Sequence, residues 1–342
     1  MTKMMKIGKT LEFDRQRICH GNLRKMFREK VDENSILIAS ATSLRKMYNT
    51  RLLSLKDIAS RQIVWGTNKS FDAYNSLSKV NTYIGFGGGT AIDIAKYLAT
   101  ANNARCIAIP SMLSTNAFAT NKVAKVTPDN KITVDAVLPD EIWYDDEVIN
   151  LSKRENIFGL ADAFSIYTAL YDWEISSEKI DSNIYTRSWD TYVRAIDFVH
   201  DCKSSQREIF NILLEAGYVT NDYGSGRPES GSEHIIAKEI EKIVKVPHAL
   251  AVVCGICISS LIQNRPSDEY TDNYTAFDAM GMFKAIHTSI PPSILKQALL
   301  NVRPRDDRET CLDRDCFVQT VDIEDKTRQI EELISRSVIY YG

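Results

Sequence analysis

Apolar positions recur in two rhythms along this chain, and the rhythm changes once. Up to about residue 145, short apolar runs alternate with stretches of helical spacing. Residues 35–40, 62–65, 82–84 and 106–110 read as buried strands, the last ended by Pro110. Residues 43–52, 69–77 and 91–99 carry apolar side chains at the spacing of a helix face. Strands alternating with helices predict an α/β, doubly wound, Rossmann-like parallel sheet, in which ligands sit at the carboxyl ends of the strands. From about Leu151 strand-like runs nearly vanish. Helical patterns cover 155–175, 183–203, 206–220, 232–244, 249–262 and 278–284, with two more toward the C-terminus. An all-α second domain is expected to begin near Asn150, dividing the chain into 1–150 and 151–342.

Composition narrows the picture by exclusion. The 342 residues suffice for two domains with cores of their own. The balance of 42 Lys and Arg against 45 Asp and Glu leaves a net charge of -3, with no basic footprint for nucleic acid. No apolar run approaches the roughly 18 residues of a spanning helix, and no secretory leader pattern opens the chain, so neither membrane insertion nor export is expected. Seven cysteines without regular spacing fit reduced thiols in a cytoplasmic protein. Cys254-Gly-Ile-Cys257 lies in an apolar stretch and reads as core thiols rather than a metal or redox pair.

Candidate chemistry begins at Ile84-Gly85-Phe86-Gly87-Gly88-Gly89-Thr90-Ala91-Ile92-Asp93-Ile94-Ala95-Lys96. A strand, a glycine turn and a helix start make a site for an anionic phosphate, because the first N–H groups of a helix lack partners and its dipole favours negative charge there. Glycine lets a pyrophosphate approach the backbone. Thr90 is expected to cap the helix, and Asp93 and Lys96 lie one turn apart on one face. The order differs from the G-x-G-x-x-G fingerprint.

Three further places stand out in the helical half. Asp162, in Gly159-Leu-Ala-Asp162-Ala-Phe, has apolar neighbours on nearly every side, so its carboxylate needs a cationic partner, either an Arg or Lys or a metal. Gly224-Ser-Gly-Arg227-Pro-Glu-Ser-Gly231-Ser232-Glu233-His234 is a polar glycine-rich loop feeding a helix, with His234 in its first turn. Val246-Pro247-His248 places a second histidine just ahead of another helix. One Asp and two His match three protein ligands with an open fourth position, the pattern of a catalytic zinc site.

Gly-Gly-Gly-Thr-x-x-Asp-x-x-Lys, then Gly-x-x-Asp, Ser-Gly-Ser-Glu-His and Pro-His, resembles the superfamily of iron-containing alcohol dehydrogenases, glycerol dehydrogenases, glycerol-1-phosphate dehydrogenases and dehydroquinate synthases. Asp172-Trp173 and Arg-Pro-x-Ser-Gly-Ser-Glu-His look most like sn-glycerol-1-phosphate dehydrogenases, and Arg303-Pro-Arg305 is similar to a late segment of that family. The resemblance runs from about His20 to Arg305. It implies a dinucleotide-binding first domain and a helical, metal- and substrate-binding second domain. Gly87, Gly88, Gly89, Thr90, Ala91 and Asp93 would serve the pyrophosphate of NAD or NADP. Ser111, Ser114 and Thr120 would line the nicotinamide. Asp162, His234 and His248 would bind one divalent metal, Zn2+ first, with Fe2+ or Ni2+ as alternatives. Asn116 and Lys238 would stand on the substrate and complete the catalytic set, and Arg227 and Lys238 would be partners for its phosphate. A homo-oligomer is implied as well.

Three positions depart from the family pattern. Asn116 stands where the family has a substrate-side Asp, and Lys238 where it has a second histidine. Ser40 stands at the end of the first strand, where an acidic residue usually meets the adenine ribose, so no carboxylate there would repel a 2′-phosphate. The expected activity is NAD(P)-linked interconversion of a small polyol phosphate and its ketone, with dihydroxyacetone phosphate or a related keto-phosphate as substrate. A sugar-phosphate cyclase of dehydroquinate synthase type, which regenerates its NAD in each cycle, and a non-catalytic nucleotide-binding subunit are the alternatives.

Overall fold

The computed structural model describes residues 16–58, 62–128, 131–264, 267–305, 308–313 and 323–340. Among these, six parallel strands form one sheet. In chain order they are β1 (Arg17–His20), β2 (Ser35–Ala39), β3 (Gln62–Trp65), β4 (Thr82–Gly87), β5 (Arg105–Pro110) and, after a hairpin, β8 (Glu141–Tyr144). Their spatial order is β1-β8-β5-β4-β2-β3. The hairpin β6 (Lys122–Val126) and β7 (Lys131–Asp135) is antiparallel and forms its own two-stranded sheet.

The central strands are apolar on both faces because both are covered. Leu37, Ala39, Ile84, Phe86, Ile107 and Ile109 turn to one core, with α1 (Leu23–Lys30), α2 (Ala41–Asn49) and the short α3 (Leu55–Ile58). Ile36, Ile38, Tyr83 and Cys106 turn to the other, with α4 (Gly89–Asn102). Gly85 interrupts that second row for a steric reason: a Cβ there would lie 2.7 Å from Ile92 Cα, so α4 packs directly on β4. The chain leaves β2 for β3 on one side and returns as β4 on the other. The glycine turn after β4 therefore lies at the switch point of the sheet, on its carboxyl edge.

After β8 the described chain is helical: α5 (Asp146–Asn150), α6 (Lys153–Phe158), α7 (Ala161–Phe164), α8 (Ile166–Glu174), α9 (Ser182–His200), α10 (Gln206–Tyr223), α11 (Ser232–Ile243) and α12 (His248–Ile262), with further helices to Tyr340. Every α12 residue from Ala249 to Ser260 is buried, which makes it the axis of the helical half. Cys254 and Cys257 are buried within it as core thiols. No described helix is long and apolar enough to cross a membrane.

Several elements differ from the sequence pattern. The helix expected over 69–77 is a single 3-10 turn, Phe71–Tyr74. The long helix expected over 155–175 is broken into α6, α7 and α8. Gly159 passes so close beneath the Leu113 carbonyl that a Cβ would lie 1.8 Å from its oxygen, and the Ser165 hydroxyl lies between the Asp162 and Glu229 carbonyls, within donating distance of either. The helix expected over 278–284 is a junction, where one helix ends at Ala279 and another begins at Met282, with Gly281 at φ +72° between them. Strands β1 and β8 and the hairpin lie in stretches for which the pattern predicts no strand.

Lys96, on α4, is fully buried and holds the chain that leaves β5. Its ammonium lies 3.0 Å from Asp93 Oδ1 and donates to the carbonyls of Ala117 (2.7 Å), Thr120 (3.1 Å) and Lys122 (2.6 Å). Removing one partner of a buried ion pair strands the other charge. Lys96→Met should therefore destabilise the protein by about 3–5 kcal/mol, read as a lowered midpoint in urea unfolding, and a midpoint equal to wild type would refute the role given to this ammonium.

Candidate active site at the carboxyl edge of the sheet

The turn after β4 is built for close approach. Gly87 has φ +150°, and a Cβ on it would lie 2.8 Å from Ser40 Cβ. Gly88 is the N-cap of α4, and no side chain caps that helix. Thr90 does not cap it as the sequence suggests; its hydroxyl donates to Asn68 Oδ1 at 3.2 Å. The first N–H groups of α4 thus remain open to an anion.

The chain after β5 folds back over this turn. Ser111 N–H donates to the Gly87 carbonyl at 2.9 Å, and its hydroxyl pairs with that of Ser43 at 2.7 Å. Met112 and Ser114 face Gly88, and Thr115 faces Gly89. Two of the expected cofactor contacts are turned elsewhere. Asp93 is held by Lys96 and accepts from Ala124 N–H at 3.1 Å on β6, so it braces the helix rather than the turn. Thr120 is buried, and its hydroxyl closes a local turn with the Lys122 carbonyl at 3.2 Å.

Across the cleft, Asp162, His234 and His248 each offer one ligand atom, and these atoms lie within 4.8 Å of one another. They come from the starts of α7, α11 and α12. His248 Nε2 is 3.7 Å from Asp162 Oδ1, too long for a hydrogen bond, and the two imidazole centroids are 5.6 Å apart. A carboxylate stands behind each ring. Glu233 Oε1 lies 2.8 Å from His234 Nδ1, and Glu241 Oε1 lies 2.5 Å from His248 Nδ1. That leaves both Nε2 atoms for a common partner, the arrangement that orients histidine ligands on a metal.

Electrostatics follow the same plan. Burial works against the charge of His248, but the Glu241 hydrogen bond and the carboxylates of Glu241 and Asp162 outweigh it and raise the imidazole above its ordinary value. Burial also opposes the Glu241 charge, yet His248 and Lys131 bring that carboxyl down to about 2. Burial opposes the Glu233 charge too, and the His234 hydrogen bond and charge outweigh it, so its carboxyl is lowered.

Lys238 follows His234 by one turn of α11, and Glu241 continues the same stripe. Lys238 Nζ reaches Thr133 Oγ1 on β7 at 3.4 Å. Burial, then the charges of Arg305, Arg308 and Lys131, bring this lysine down to about 8. Arg308 is anchored by the Ser230 carbonyl, and Lys131 lies 3.3 Å from Glu241. Lys238 therefore belongs to a cationic cluster beside the three ligands.

One sequence reading needs correction. Arg227 is not a free phosphate partner: it is 1% exposed and donates to the Glu309 carbonyl (2.6 Å) and the Asp172 carbonyl (3.0 Å). Asn116 does reach the site, its N–H 3.3 Å from Asp162 Oδ2, but its side-chain amide donates to Glu229 Oε2 at 2.7 Å. Burial pushes the Glu229 carboxyl up to about 8. Glu229, Glu233, Glu241, Lys131 and Arg308 are site residues that sequence reasoning missed. Only Glu241 carried a signal, seven residues after His234 on one helix face.

The family model of iron-containing alcohol dehydrogenases matches residues 19–152. The chain is 27% identical over 191 residues to an enzyme of Methanothermobacter thermautotrophicus named glycerol-1-phosphate dehydrogenase [NAD(P)+], covering 53% of this chain and 55% of that one. It is 27% identical over 284 residues to the enzyme of the same name from Sulfurisphaera tokodaii, covering 77% and 79%. The chain spans about half the length of several of these relatives. Among solved structures, glycerol dehydrogenase of Schizosaccharomyces pombe superposes with a TM-score of 0.64 at 16% identity, over 95% of this chain and 90% of that one. Sulfoacetaldehyde reductase of Bifidobacterium kashiwanohense, solved with NAD+, gives 0.62 at 11% identity over 94% and 97%.

The buried setting of Arg227 has a measurable consequence. Arg227→Ala should lower stability by about 3–5 kcal/mol, since it empties a buried site and strands two carbonyls. A variant that melts like wild type and only binds phosphate more weakly would restore the sequence reading.

Proposed function

Taking the chain as a relative of the iron-containing alcohol dehydrogenases, and among them of enzymes named glycerol-1-phosphate dehydrogenase, we propose that it is a metal-dependent NAD(P)-linked oxidoreductase interconverting a small polyol phosphate and its ketone. The observation that carries this reading is the convergence of Asp162, His234 and His248 within 4.8 Å, both rings backed by carboxylates, across from an uncapped helix start at a glycine turn.

The donor set of two imidazoles and one carboxylate fits a divalent ion that keeps a position open. Zn2+ is the first choice, and Fe2+ and Ni2+ accept the same donors. When bound, such an ion supplies a Lewis acid for the substrate oxygen. The chain's own residues do the rest. Glu233 and Glu241 hold the rings in register. The open N–H groups of α4 would hold the pyrophosphate, and the segment from Ser111 to Thr115, which faces the glycine turn, would stand against the dinucleotide. Lys238, with Arg305 and Arg308 near it, supplies positive potential for the substrate phosphate. A bound nicotinamide would supply the hydride acceptor for the alcohol or the hydride donor for the ketone, with the accompanying proton exchanged with solvent. Ser40, beside Gly87, leaves no carboxylate against a 2′-phosphate, so NADP should be accepted as well as NAD. The six described cysteines are free, in keeping with a reducing, cytoplasmic setting.

Three measurements test this reading. Dihydroxyacetone phosphate should be reduced with NADH or NADPH in a zinc-dependent manner, and cofactor oxidation that zinc does not affect would refute it. Metal-depleted protein should take up about one zinc per chain, and His248→Ala should fall well short of that; full occupancy in the variant would remove His248 from the ligand set. In Gly88→Val, the added methyls would fill the space between the turn and Met112 and Ser114, which lie 3.4 Å from a Cβ placed there. Calorimetry should show loss of dinucleotide binding with little change in melting, and unchanged affinity would end the phosphate reading of the turn.

A further inference from the structure

The two carboxylates that stand behind the imidazoles are held from different halves of the molecule. Glu233 is fixed within the helical half. Its side chain is fully buried, its Oε1 accepts from the Gly231 N–H at 2.6 Å as well as facing His234 Nδ1, and its Oε2 accepts from the Thr168 hydroxyl at 2.8 Å. Glu241 has one oxygen on its ring, Oε1 against His248 Nδ1. Its other oxygen, Oε2, accepts from Lys131 Nζ at 3.3 Å, and no further donor meets it among the described residues. Lys131 comes from the hairpin, in the sheet half of the chain.

The hairpin is seated so that this lysine reaches across. Its first strand is fastened to α4. Ala124 N–H donates to Asp93 Oδ2 at 3.1 Å, the Lys122 carbonyl accepts from Lys96 at 2.6 Å, and Lys125 Nζ lies 4.7 Å over the Tyr97 ring and 3.0 Å from Asp72 Oδ1. Its second strand meets α11. Lys131 and Thr133, two residues apart, share one face of the strand, and Lys238 and Glu241, three apart, share one face of the helix. The pairs match: Lys238 reaches Thr133 at 3.4 Å, and Lys131 reaches Glu241. The Lys131 side chain is 42% exposed, so the ion pair itself adds little to folding stability.

We infer that Lys131 is a positioning residue: from the hairpin it holds the second oxygen of Glu241, so that this carboxylate keeps the His248 ring aimed at the metal, and the metal site is complete only with the hairpin seated on α11. This rests on Asp162, His234 and His248 being the metal ligands. The sign of the effect separates positioning from plain electrostatics. An ammonium repels a nearby divalent ion, so loss of its charge would by itself tighten metal binding. Loss of its hold on the partner of the ring weakens metal binding instead.

Metal-depleted protein is titrated with Zn2+ in competition with a chromophoric chelator. Glu241→Ala should weaken zinc binding by about 10–100-fold. Lys131→Met, which keeps the length of the side chain and drops the charge, should weaken it by about threefold or more while unfolding at the wild-type midpoint. Lys131→Arg keeps a charged donor and should bind zinc within about twofold of wild type. In the Glu241→Ala background, Lys131→Met should bring no further loss, because nothing is left for the lysine to hold. Unchanged or tighter zinc binding in Lys131→Met, an equal loss in the Glu241→Ala background, or a loss that accompanies a lowered unfolding midpoint would overturn the role of Lys131 and leave the ligand set standing. Zinc held as tightly by His248→Ala as by wild type would overturn the ligand set itself, and this role with it.

Discussion

One ammonium sets the geometry on which the cleft depends. Lys96 Nζ, on the helix that follows the glycine turn, gathers three carbonyls of a single segment, Ala117, Thr120 and Lys122. That segment lies between β5 and the hairpin and carries Asn116 to Asp162. A loop of this length would ordinarily be free to wander. Here it is fastened to the element that opens the anion site, and through Asn116 to the candidate metal site. A shift of α4 would move both ends of the cleft together. Asp93 acts in the same fastening, because a buried ammonium needs a counter-charge as well as carbonyls.

The cleft divides its electrostatics over a short distance. On one side stand Asp162 and the carboxylates behind the histidines, Glu233 and Glu241, with Asp172 buried behind Glu233 and raised by burial and by that neighbour. This wall favours a cation. On the other side stands Lys238, lowered by burial and by the nearby charges of Arg305, Arg308 and Lys131, and that wall favours an anion. Lys131 belongs to both, since it lies 3.3 Å from Glu241 while adding to the positive field at Lys238. A molecule with an oxygen for the metal and a phosphate at its far end matches such a division. A neutral alcohol would leave the positive wall uncompensated.

The elements most legible in the sequence were those with an unbroken apolar rhythm. β2, β4, β5 and helices α9 to α12 lie close to where the periodicity puts them, because burial on both faces of the sheet, or along one face of a helix, writes itself into residue type. β1 and β8 were not read as strands although β3, an edge strand of the same length, was: Gln62-Ile-Val-Trp65 is mostly apolar, whereas Arg17-Ile-Cys-His20 is half polar and β8 opens on the charged Glu141. The hairpin was illegible because its residues are half-exposed and half charged. The break of the expected long helix at Gly159 and Ser165 depends on Leu113 and Glu229, far away in sequence, so no local rule could contain it. The three candidate ligands could be singled out because Asp and His are rare on apolar helix starts. Their carboxylate partners were given no role, since a glutamate on a helix looks much the same whether it faces water or an imidazole; only the spacing of Glu241 from His234 hinted at a shared face.

The two departures at the substrate therefore carry unequal weight. Read alone, Asn116 removes a negative charge and adds a donor, which would push the pocket toward positive potential. In the fold, the carboxyl of Glu229 stands 2.7 Å from that amide, so acidity at the position is displaced by one side chain rather than lost. Lys238 is compensated only in part. Burial and its neighbours Arg305, Arg308 and Lys131 outweigh the opposing charge of Glu241 and bring it down to about 8. A group poised there becomes more firmly cationic when an anion arrives, because the anion offsets the repulsion that lowered it. The positive potential of the pocket thus lies with Lys238 and its cationic neighbours.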